Sequence, residues 1–302
     1  MDIFEYSEVN YPSRTVQQDE EEAAVSTAPA NLDLPVTLWN AQLRAKLFPD
    51  GIVVGAVVVA TTRASCALLN HAFPGKQVLG SLVLPEVPMR GLTLPHSLRN
   101  RTCTIYVVPG PSPALLVACQ YDVAAERAHA VCTALLGEVC PEQVVVVGSL
   151  RAEAYRGAGD ASQEALVFRL ATAQQPSSSQ PAGPHPVPTL PTGNVVGGLP
   201  AAILSYCQVR GMSGQLVVDV EMVPSLCAES VAPLASATAA VLSRAAATHP
   251  QPGGAHPAHA GCAAACSAVA AALTAPETLA AARRDVEAVT AAQTGALGAV
   301  YA

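Results

Sequence analysis

Charged residues are scarce in this sequence, since Asp, Glu, Lys and Arg make up 13% of its 302 residues, about half the usual share. Aromatic residues account for only 4%, so a core must be built from Val, Leu and Ala. The 16 Lys and Arg residues are scattered, and the formal net charge is −7. The chain therefore lacks the concentrated basic face that binding to nucleic acid or to an anionic membrane requires. So little charge indicates a surface rich in Ala, Ser and Pro, or one covered in part by a partner protein.

Targeting and membrane-spanning segments are also lacking. The chain starts with an acidic stretch that reaches Asp19-Glu20-Glu21-Glu22, whereas a signal peptide needs a basic start and a transit peptide avoids acids. The longest apolar run, Ile52–Ala60, is too short to cross a bilayer. We therefore expect no membrane insertion and a location in the cytoplasm or the nucleus. The nine cysteines are spread singly, which is typical of small buried thiols in a reducing compartment.

Composition divides the chain into one large domain and several polar segments. Residues 1–31 are acidic, lack hydrophobic periodicity and are predicted to be disordered. Residues 32–294 are predicted to form a single α/β domain with flexible insertions at about 173–193 and 247–260, where Pro, Ser, Gly and His accumulate. Residues 295–302 are predicted to be a C-terminal tail, because two glycines loosen the helix before it.

Within the domain, apolar strand-like runs alternate with helical patterns. The unbroken Val-rich run predicts a central strand that is buried on both faces. The predicted strands are Ile52–Ala60, Leu79–Leu84, Thr102–Val108, Ala114–Cys119, Val144–Val147 and Leu216–Val223. One predicted helix follows Thr61. The other predicted helices cover Ala124–Leu136, Leu199–Val209, Ser225–Ala247 and Gly261–Thr290. This alternation indicates an α/β fold with a largely parallel sheet and helices on both faces.

Strong catalytic signatures are missing from the sequence. It has no phosphate-binding loop of the Gly-x-x-x-x-Gly-Lys type, no Gly-x-Gly-x-x-Gly after a strand, no Gly-x-Ser-x-Gly elbow and no His-Glu-x-x-His. Asp219 and Glu221 alternate on one strand and so share a face, which would suit an acid/base pair. The simpler interpretation is a solvated strand end.

Three further groups of polar residues have both a functional and a plain interpretation. The first group is Asp122, Glu126 and His129, which could share a helix face. A helix cap at Asp122 and a solvated stripe of Glu126 and His129 also explain these residues. The second, Gly197-Gly198 before Leu199, could offer backbone N–H groups to an anion, or form a tight turn with Pro200 at the first helical position. The third group consists of His249, His256, His259, Cys262 and Cys266. These residues could bind zinc, yet they lie in a low-complexity segment without zinc-finger spacing.

One segment resembles a known family. The string Leu199-Pro200-Ala201-Ala202-Ile203-Leu204-Ser205-Tyr206-Cys207-Gln208-Val209 is similar to the corresponding segment of the proteasome assembly chaperone family. The layout that follows, with a short break, an apolar strand to Val223 and a Leu/Ala helix, is also similar. The last residues, Val300-Tyr301-Ala302, fit the hydrophobic-Tyr-any-residue terminus that several proteasome partners use.

The resemblance implies a three-layer α/β/α sandwich of the phosphorylase/hydrolase-like type. It implies a heterodimer with proteasome assembly chaperone 2 that binds the outer face of the α-subunit ring of the 20S proteasome and promotes correct assembly. Val300, Tyr301 and Ala302 would enter pockets between α subunits, where a Lys pairs with the terminal carboxylate. Family motif residues Leu199, Pro200, Ser205, Tyr206, Cys207 and Gln208 would be structural. The family has no catalytic residues, so no cofactor or catalysis is expected.

Two other interpretations remain open at this point. The chain could be an enzyme of the phosphorylase/hydrolase-like class that acts on a small anionic substrate near Gly197-Gly198. Such an enzyme needs a closed polar pocket at the carboxyl ends of the strands, with titratable groups of shifted pKa. The chain could also be a zinc-binding scaffold that uses its His/Cys segment.

Overall fold

The computed structural model describes residues 33–88, 97–162, 164–174, 187–222, 228–248 and 259–300. At residues 248, 259–260 and 293–300 it describes the backbone alone. The chain divides into two units at residue 34. Of the first unit only Asp33 and Leu34 are described, so the fold given below is that of residues 35–302.

Eight strands form one sheet in the described part of the chain. Their order across the sheet is β1-β3-β4-β5-β2-β6-β8-β7, which confirms the central place predicted for the Val-rich run. The strands are β1 (Val36–Trp39), β2 (Ile52–Ala60), β3 (Gln77–Val83), β4 (Cys103–Val108), β5 (Ala114–Cys119), β6 (Val139–Arg151), β7 (Val167–Ala171) and β8 (Gly214–Glu221).

The sheet is mixed, not largely parallel as predicted. Neighbours among β5, β2, β6 and β8 pair in parallel, whereas β1, β3, β4 and β7 add antiparallel pairs at the two sides. Connection length explains one of these pairs: only residues 109–113 separate β4 from β5. Such a connection allows a hairpin but is too short for the crossover that a parallel pair needs.

Helices cover both faces of the sheet. The described helices are α1 (Ala41–Leu47), α2 (Arg63–His71), α3 (Ala125–Leu136), α4 (Gly198–Arg210), α5 (Val231–Thr248), α6 (His259–Thr274) and α7 (Pro276–Val300). On β6, Val145 and Val147 pack in the core shared with α2, α5, α6 and α7. Val144 and Val146 point the other way, into the core shared with α3 and α4. The expected three-layer α/β/α arrangement is confirmed.

The C-terminal helices differ from the prediction. A single helix was predicted over Gly261–Thr290, but α6 ends at Thr274 and α7 begins at Pro276. Proline has no backbone N–H and fits the first helical position, where that group would make no intrahelical bond. No single described helix is long and apolar enough to cross a membrane; only Gly261–Thr274 and Pro276–Ala292 taken together pass that test, and they meet at 59°.

The predicted tail at 295–302 is helical over most of its length. α7 continues through Gly295 and Gly298 to Val300, ten residues beyond the predicted helix end at Thr290. Glycine costs a helix only about 1 kcal/mol relative to alanine, and the neighbouring Ala residues are strong helix formers. The last two residues lie outside the described part of the chain.

Part of the predicted insertion at 173–193 packs against β7. The Leu190 N–H donates to the Arg169 carbonyl (3.0 Å), and the Arg169 N–H donates to the Pro188 carbonyl (2.8 Å). Leu190 is buried beside Phe168. Residues 175–186 of this insertion and 249–258 of the second one lie outside the described residues.

Small residues bring α6 close to β2. A Cβ added to Gly55 of β2 would lie 2.9 Å from the Ala265 Cβ and 3.0 Å from the Gly261 carbonyl oxygen, both on α6. It would also lie 2.5 Å from the Ser112 Oγ of the β4–β5 turn. The helix, the strand and the turn therefore touch at a point where even a methyl group finds no room.

Candidate functional site

The segment that resembles the chaperone family forms α4. Leu199, Ile203 and Cys207 follow i, i+4, i+8 spacing and are buried, with Ile203 and Cys207 at 0% exposure. This confirms the predicted core-facing stripe. The stripe lies against Leu216 and Val218 of β8, so these motif residues hold the helix on the sheet.

The start of α4 differs in detail from the prediction. The helix begins at Gly198, which has φ +66, and Pro200 is therefore its third residue, not its first. Proline is tolerated anywhere in the first turn because N–H groups there have no intrahelical partner. A Cβ added to Gly148 of β6 would meet the Pro200 ring at 2.7 Å. Pro200 thus packs directly on the backbone of the sheet.

The remaining motif residues make local contacts around the helix. Tyr206 is 8% exposed, and the Arg210 guanidinium lies 5.3 Å from its ring centroid. The Gln208 Oε1 accepts from the Ala173 N–H at 2.9 Å, which ties the end of α4 to the end of β7. Ser205 is exposed. Apart from this serine, the motif therefore serves packing and helix placement.

Asp219 and Glu221 are not a solvated strand end. Asp219 is 1% exposed and Glu221 9% exposed, because the short turn Ala228–Ser230, α5 and α7 belong to the layer over this face of β8. Within the described residues, the Asp219 Oδ2 has no hydrogen-bond partner. Burial raises the pKa of Asp219 to about 6, although a hydrogen bond from Ser230 opposes it. Burial, assisted by the Asp219 charge, raises the pKa of Glu221 to about 7.

Glu221 borders a cavity of about 760 Å³ at the carboxyl ends of the parallel strands. Thr61 and Thr62 follow β2 there, Gln120 follows β5, and Ser149 lies near the end of β6. The loop before β4 forms another wall with Arg99, Asn100 and Arg101. Sequence reasoning missed this site because its residues come from separate loops without periodicity. The rule that ligands bind beyond the carboxyl ends of parallel strands was the one available signal.

Two thiols beside this cavity are held in the protonated form. The Cys66 Sγ donates to the Cys119 carbonyl at 3.3 Å, and burial, followed by the nearby Cys119, raises the pKa of Cys66 well above its ordinary value. A hydrogen bond with Cys119 and then burial raise the pKa of Cys103 in the same way. A protonated thiol is a weak nucleophile, so this cluster does not suit nucleophilic catalysis.

The other candidate groups are separated by the fold. Asp122 is exposed and does not cap α3, because the N-cap position belongs to Ala124 and makes no side-chain bond. Glu126 and His129 are exposed, which confirms the solvated stripe. The cavity borders Asp122 but neither Gly197 nor Gly198. Gly197 and Gly198 form an exposed turn at the start of α4.

The proposed zinc ligands are only partly within the described residues. The Cys262 and Cys266 Sγ atoms lie 3.8 Å apart on the buried face of α6. The hydrogen bond between them and burial both raise the pKa of Cys262. His249 and His256 lie outside the described residues, as does the His259 side chain. Among the described side chains no group of three or more His, Cys, Asp or Glu is placed to hold a metal ion.

The C-terminal candidates can be placed only in part. Val300 is the last residue of α7 and is described by its backbone alone. Tyr301 and Ala302 lie outside the described residues.

No family model matches the sequence, and no curated protein matches it. Solved structures do match. A protein of unknown function from Thermoplasma acidophilum is 13% identical, with a TM-score of 0.50 over 86% of this chain and 94% of its own. PbaB of Pyrococcus furiosus, an archaeal proteasome activator, is 12% identical, with a TM-score of 0.47 over 86% of this chain and 98% of its own. PbaA of Pyrococcus furiosus, an archaeal homologue of proteasome-assembly chaperone, is 11% identical, with a TM-score of 0.45 over 66% of this chain and 78% of its own.

These similarities are structural and come with little sequence identity. The likeness to the Thermoplasma protein shows a shared fold and nothing more. The solved structures that this chain resembles thus include a proteasome activator and a homologue of proteasome-assembly chaperone, and the property established for this chain is the three-layer fold.

Proposed function

We propose that this chain is a non-enzymatic assembly chaperone of the 20S proteasome and has the role of proteasome assembly chaperone 1. It forms a heterodimer with proteasome assembly chaperone 2, binds the α-ring and promotes its correct assembly in the cytoplasm or the nucleus. The observation that carries the proposal is the eleven-residue string Leu199–Val209, which resembles the chaperone family. We also assign the sandwich to the phosphorylase/hydrolase-like type that the family implies.

A structural role for the motif supports a chaperone over an enzyme. A catalytic motif exposes reactive groups to a pocket, whereas α4 turns Leu199, Ile203 and Cys207 into the core. Burial raises the pKa of Cys207 to about 11, so its thiol stays protonated and acts as a small apolar group. The string therefore defines how this layer packs and leaves recognition to other surfaces.

The proposed α-ring contact lies at the C-terminal end of α7. Val286 is the last buried hydrophobic residue described on this helix, and the backbone continues as a helix to Val300. Fourteen residues at 1.5 Å each extend about 21 Å. The proposed contact is therefore carried at the end of a helix. An apolar side chain, a Tyr ring and a terminal carboxylate then follow one another, as capture by a pocket with a Lys requires.

An exposed apolar strand supports a partner chain. β1 is an edge of the sheet and pairs only with β3 among the described strands. Val36 is 49% exposed and Leu38 58% exposed, and their i, i+2 spacing places both side chains on one face of the strand. An edge strand with apolar side chains is prone to pair with or pack against another chain. We therefore place the contact with the second chaperone at this edge.

The proposal is tested by shortening the chain. Deleting Val300-Tyr301-Ala302 from the heterodimer should weaken binding to purified α rings by about thirty- to a thousandfold, which corresponds to about 2–4 kcal/mol for an aromatic anchor and its paired carboxylate. Tyr301→Ala should reproduce much of that loss. One residue added after Ala302 should also weaken binding, because it displaces the carboxylate.

The matched control is Val209→Ala, since Val209 is 85% exposed and lies outside the proposed contact. Its affinity for α rings and the melting temperatures of all variants should stay unchanged. Equal affinities of the full-length and shortened heterodimers would contradict the proposed contact.

A further inference from the structure

The cavity beyond the carboxyl ends of β5, β2, β6 and β8 has no role in the proposed chaperone function. Its volume of about 760 Å³ is within the range of small-molecule sites, about 300–1,000 Å³. Open α/β sheets bind ligands at this position because strand ends and helix starts converge there. Size and placement therefore fit a small molecule.

One wall of the cavity is cationic. Arg99 and Arg101 border it, and among the described residues no carboxylate contacts either guanidinium group. Both arginines are exposed at this wall. Two guanidinium groups with no carboxylate partner among the described residues offer, on one wall, the forked donors that bind carboxylate or phosphate oxygens.

The loop that carries these arginines is held in place. The Gln120 Nε2 donates to the Ser97 carbonyl at 3.0 Å, and the Thr102 Oγ1 donates to the Gln120 Oε1 at 3.1 Å. Both bonds tie the loop to the end of β5. Between the arginines, the Asn100 Nδ2 is buried and has no acceptor among the described residues. The two bonds of Gln120 hold Arg99 and Arg101 at the cavity wall.

The opposite side of the cavity begins a helix. Thr62 caps α2: its Oγ1 accepts from the Ser65 N–H, and the Ser65 Oγ accepts from the Thr62 N–H. Arg63, the first residue of the helix, also borders the cavity. The positive end of the helix dipole therefore faces the same space as Arg99 and Arg101 and favours an anion there.

Two carboxyl groups limit what the anion can be. Glu221 is nine-tenths buried at the cavity, and Asp122 is exposed at its border. An oxyanion is repelled by ionised carboxylates, whereas hydroxyl or amino groups can bond to them. The pKa of Glu221, raised to about 7 by burial, allows this side chain to donate a hydrogen bond near neutral pH. The arrangement fits a ligand with one anionic end and one neutral polar end.

We propose that this cavity binds a small polar metabolite through an oxyanion. Arg99, Arg101 and the start of α2 hold the carboxylate or phosphate group, and Glu221 faces the neutral end. The proposed site does not use Val300, Tyr301 or Ala302, so its failure would leave the chaperone proposal standing.

The test is titration calorimetry on the full chain, purified with its partner chaperone if the partner is required. The probes are inorganic phosphate and glycolate, which has one carboxylate and one hydroxyl group, at constant ionic strength, with chloride as the reference anion. Saturable binding of either probe is expected, and the tighter one identifies the oxyanion as phosphate or carboxylate. Absence of saturable binding by both probes overturns the proposal.

Variants locate the site. Arg99→Ala with Arg101→Ala should weaken binding at least tenfold with an unchanged melting temperature. The matched control replaces Arg283 and Arg284, two adjacent exposed arginines of α7, by alanine and should leave affinity within twofold. Equal losses in the two double variants would show nonspecific charge binding and overturn the proposal.

A third variant tests the carboxyl group. At pH 8, Glu221→Gln removes a negative charge from the cavity and should tighten binding several-fold. Unchanged or weaker binding would contradict the placement of the anion in the same cavity as Glu221.

Discussion

Replacing Asp219 with asparagine should make the protein more stable at neutral and alkaline pH. The side chain is 1% exposed, and its Oδ2 has no partner among the described residues, so ionisation places a charge in a poorly solvated environment. Asparagine keeps the shape and can still accept the hydrogen bond from Ser230. The change therefore removes the charge with little loss of packing.

The expected gain in the free energy of unfolding follows from the pKa of Asp219. Asp219 titrates at about 6 in the folded protein instead of 3.8, and each unit corresponds to about 1.4 kcal/mol. The full penalty is therefore on the order of 3 kcal/mol. We expect Asp219→Asn to raise the free energy of unfolding by about 2 kcal/mol at pH 8. The lower figure allows for stronger hydrogen bonding by a carboxylate than by an amide.

The sign of the pH dependence follows from proton binding. Because its folded pKa is raised, Asp219 keeps its proton to higher pH in the folded state than in the unfolded state. The free energy of unfolding therefore falls as pH rises from about 4 to about 6, and the penalty is fully present above that window. Glu221 adds the same trend up to about pH 7. The variant should show a shallower decline than the natural protein.

Urea unfolding at pH 4.5, 6 and 8 measures this difference. The matched control is Asp50→Asn, since Asp50 is an exposed acid in the turn before β2 and should change stability by less than about 0.5 kcal/mol. If Asp219→Asn is instead less stable than the natural protein at pH 8, the Asp219 charge is compensated and the argument from burial is wrong.

Two further substitutions test the core and the edge. Ile203→Asp should unfold the protein, because a buried unpaired carboxylate costs several kcal/mol. Ser205→Asp, on the exposed side of α4, should be tolerated. Equal melting temperatures of the two variants would show that Ile203 is not in the core. Val36→Lys with Leu38→Lys should weaken the heterodimer at least tenfold in sedimentation velocity, while Val209→Lys should not. An unchanged dissociation constant would exclude the β1 edge as the partner contact.

The central strands and the motif helix could be predicted because their signals are local. The run Ile52–Ala60 is apolar at almost every position, which only a strand buried on both faces requires. The spacing of Leu199, Ile203 and Cys207 fixes one helix face. Gly211 ends this helix with φ +67, the left-handed conformation that glycine adopts easily. Each of these features depends on residues that are close to one another in the sequence.

Other features depend on contacts between distant parts of the chain. Asp219 and Glu221 have the alternation of a solvated strand end, and their burial comes from the layer formed by α5 and residues 228–230. The break at Pro276, by contrast, had a local signal that the single predicted helix ignored, because proline ends a helical pattern at the residue before it. Arg99 and Arg101 belong to a loop whose partner, Gln120, is about twenty residues away in sequence. No periodicity marks such a contact.

The meeting of Gly55, Gly261 and Ala265 restricts how this sequence can change over time. A methyl group at either glycine would displace α6 or the 109–113 turn, and a side chain larger than alanine at position 265 would push the helix off β2. Substitutions that keep the fold are therefore confined there to the smallest residues. Glycine and alanine are among the commonest residues in proteins, so their retention at these positions leaves little signal for sequence comparison even where the backbone is kept.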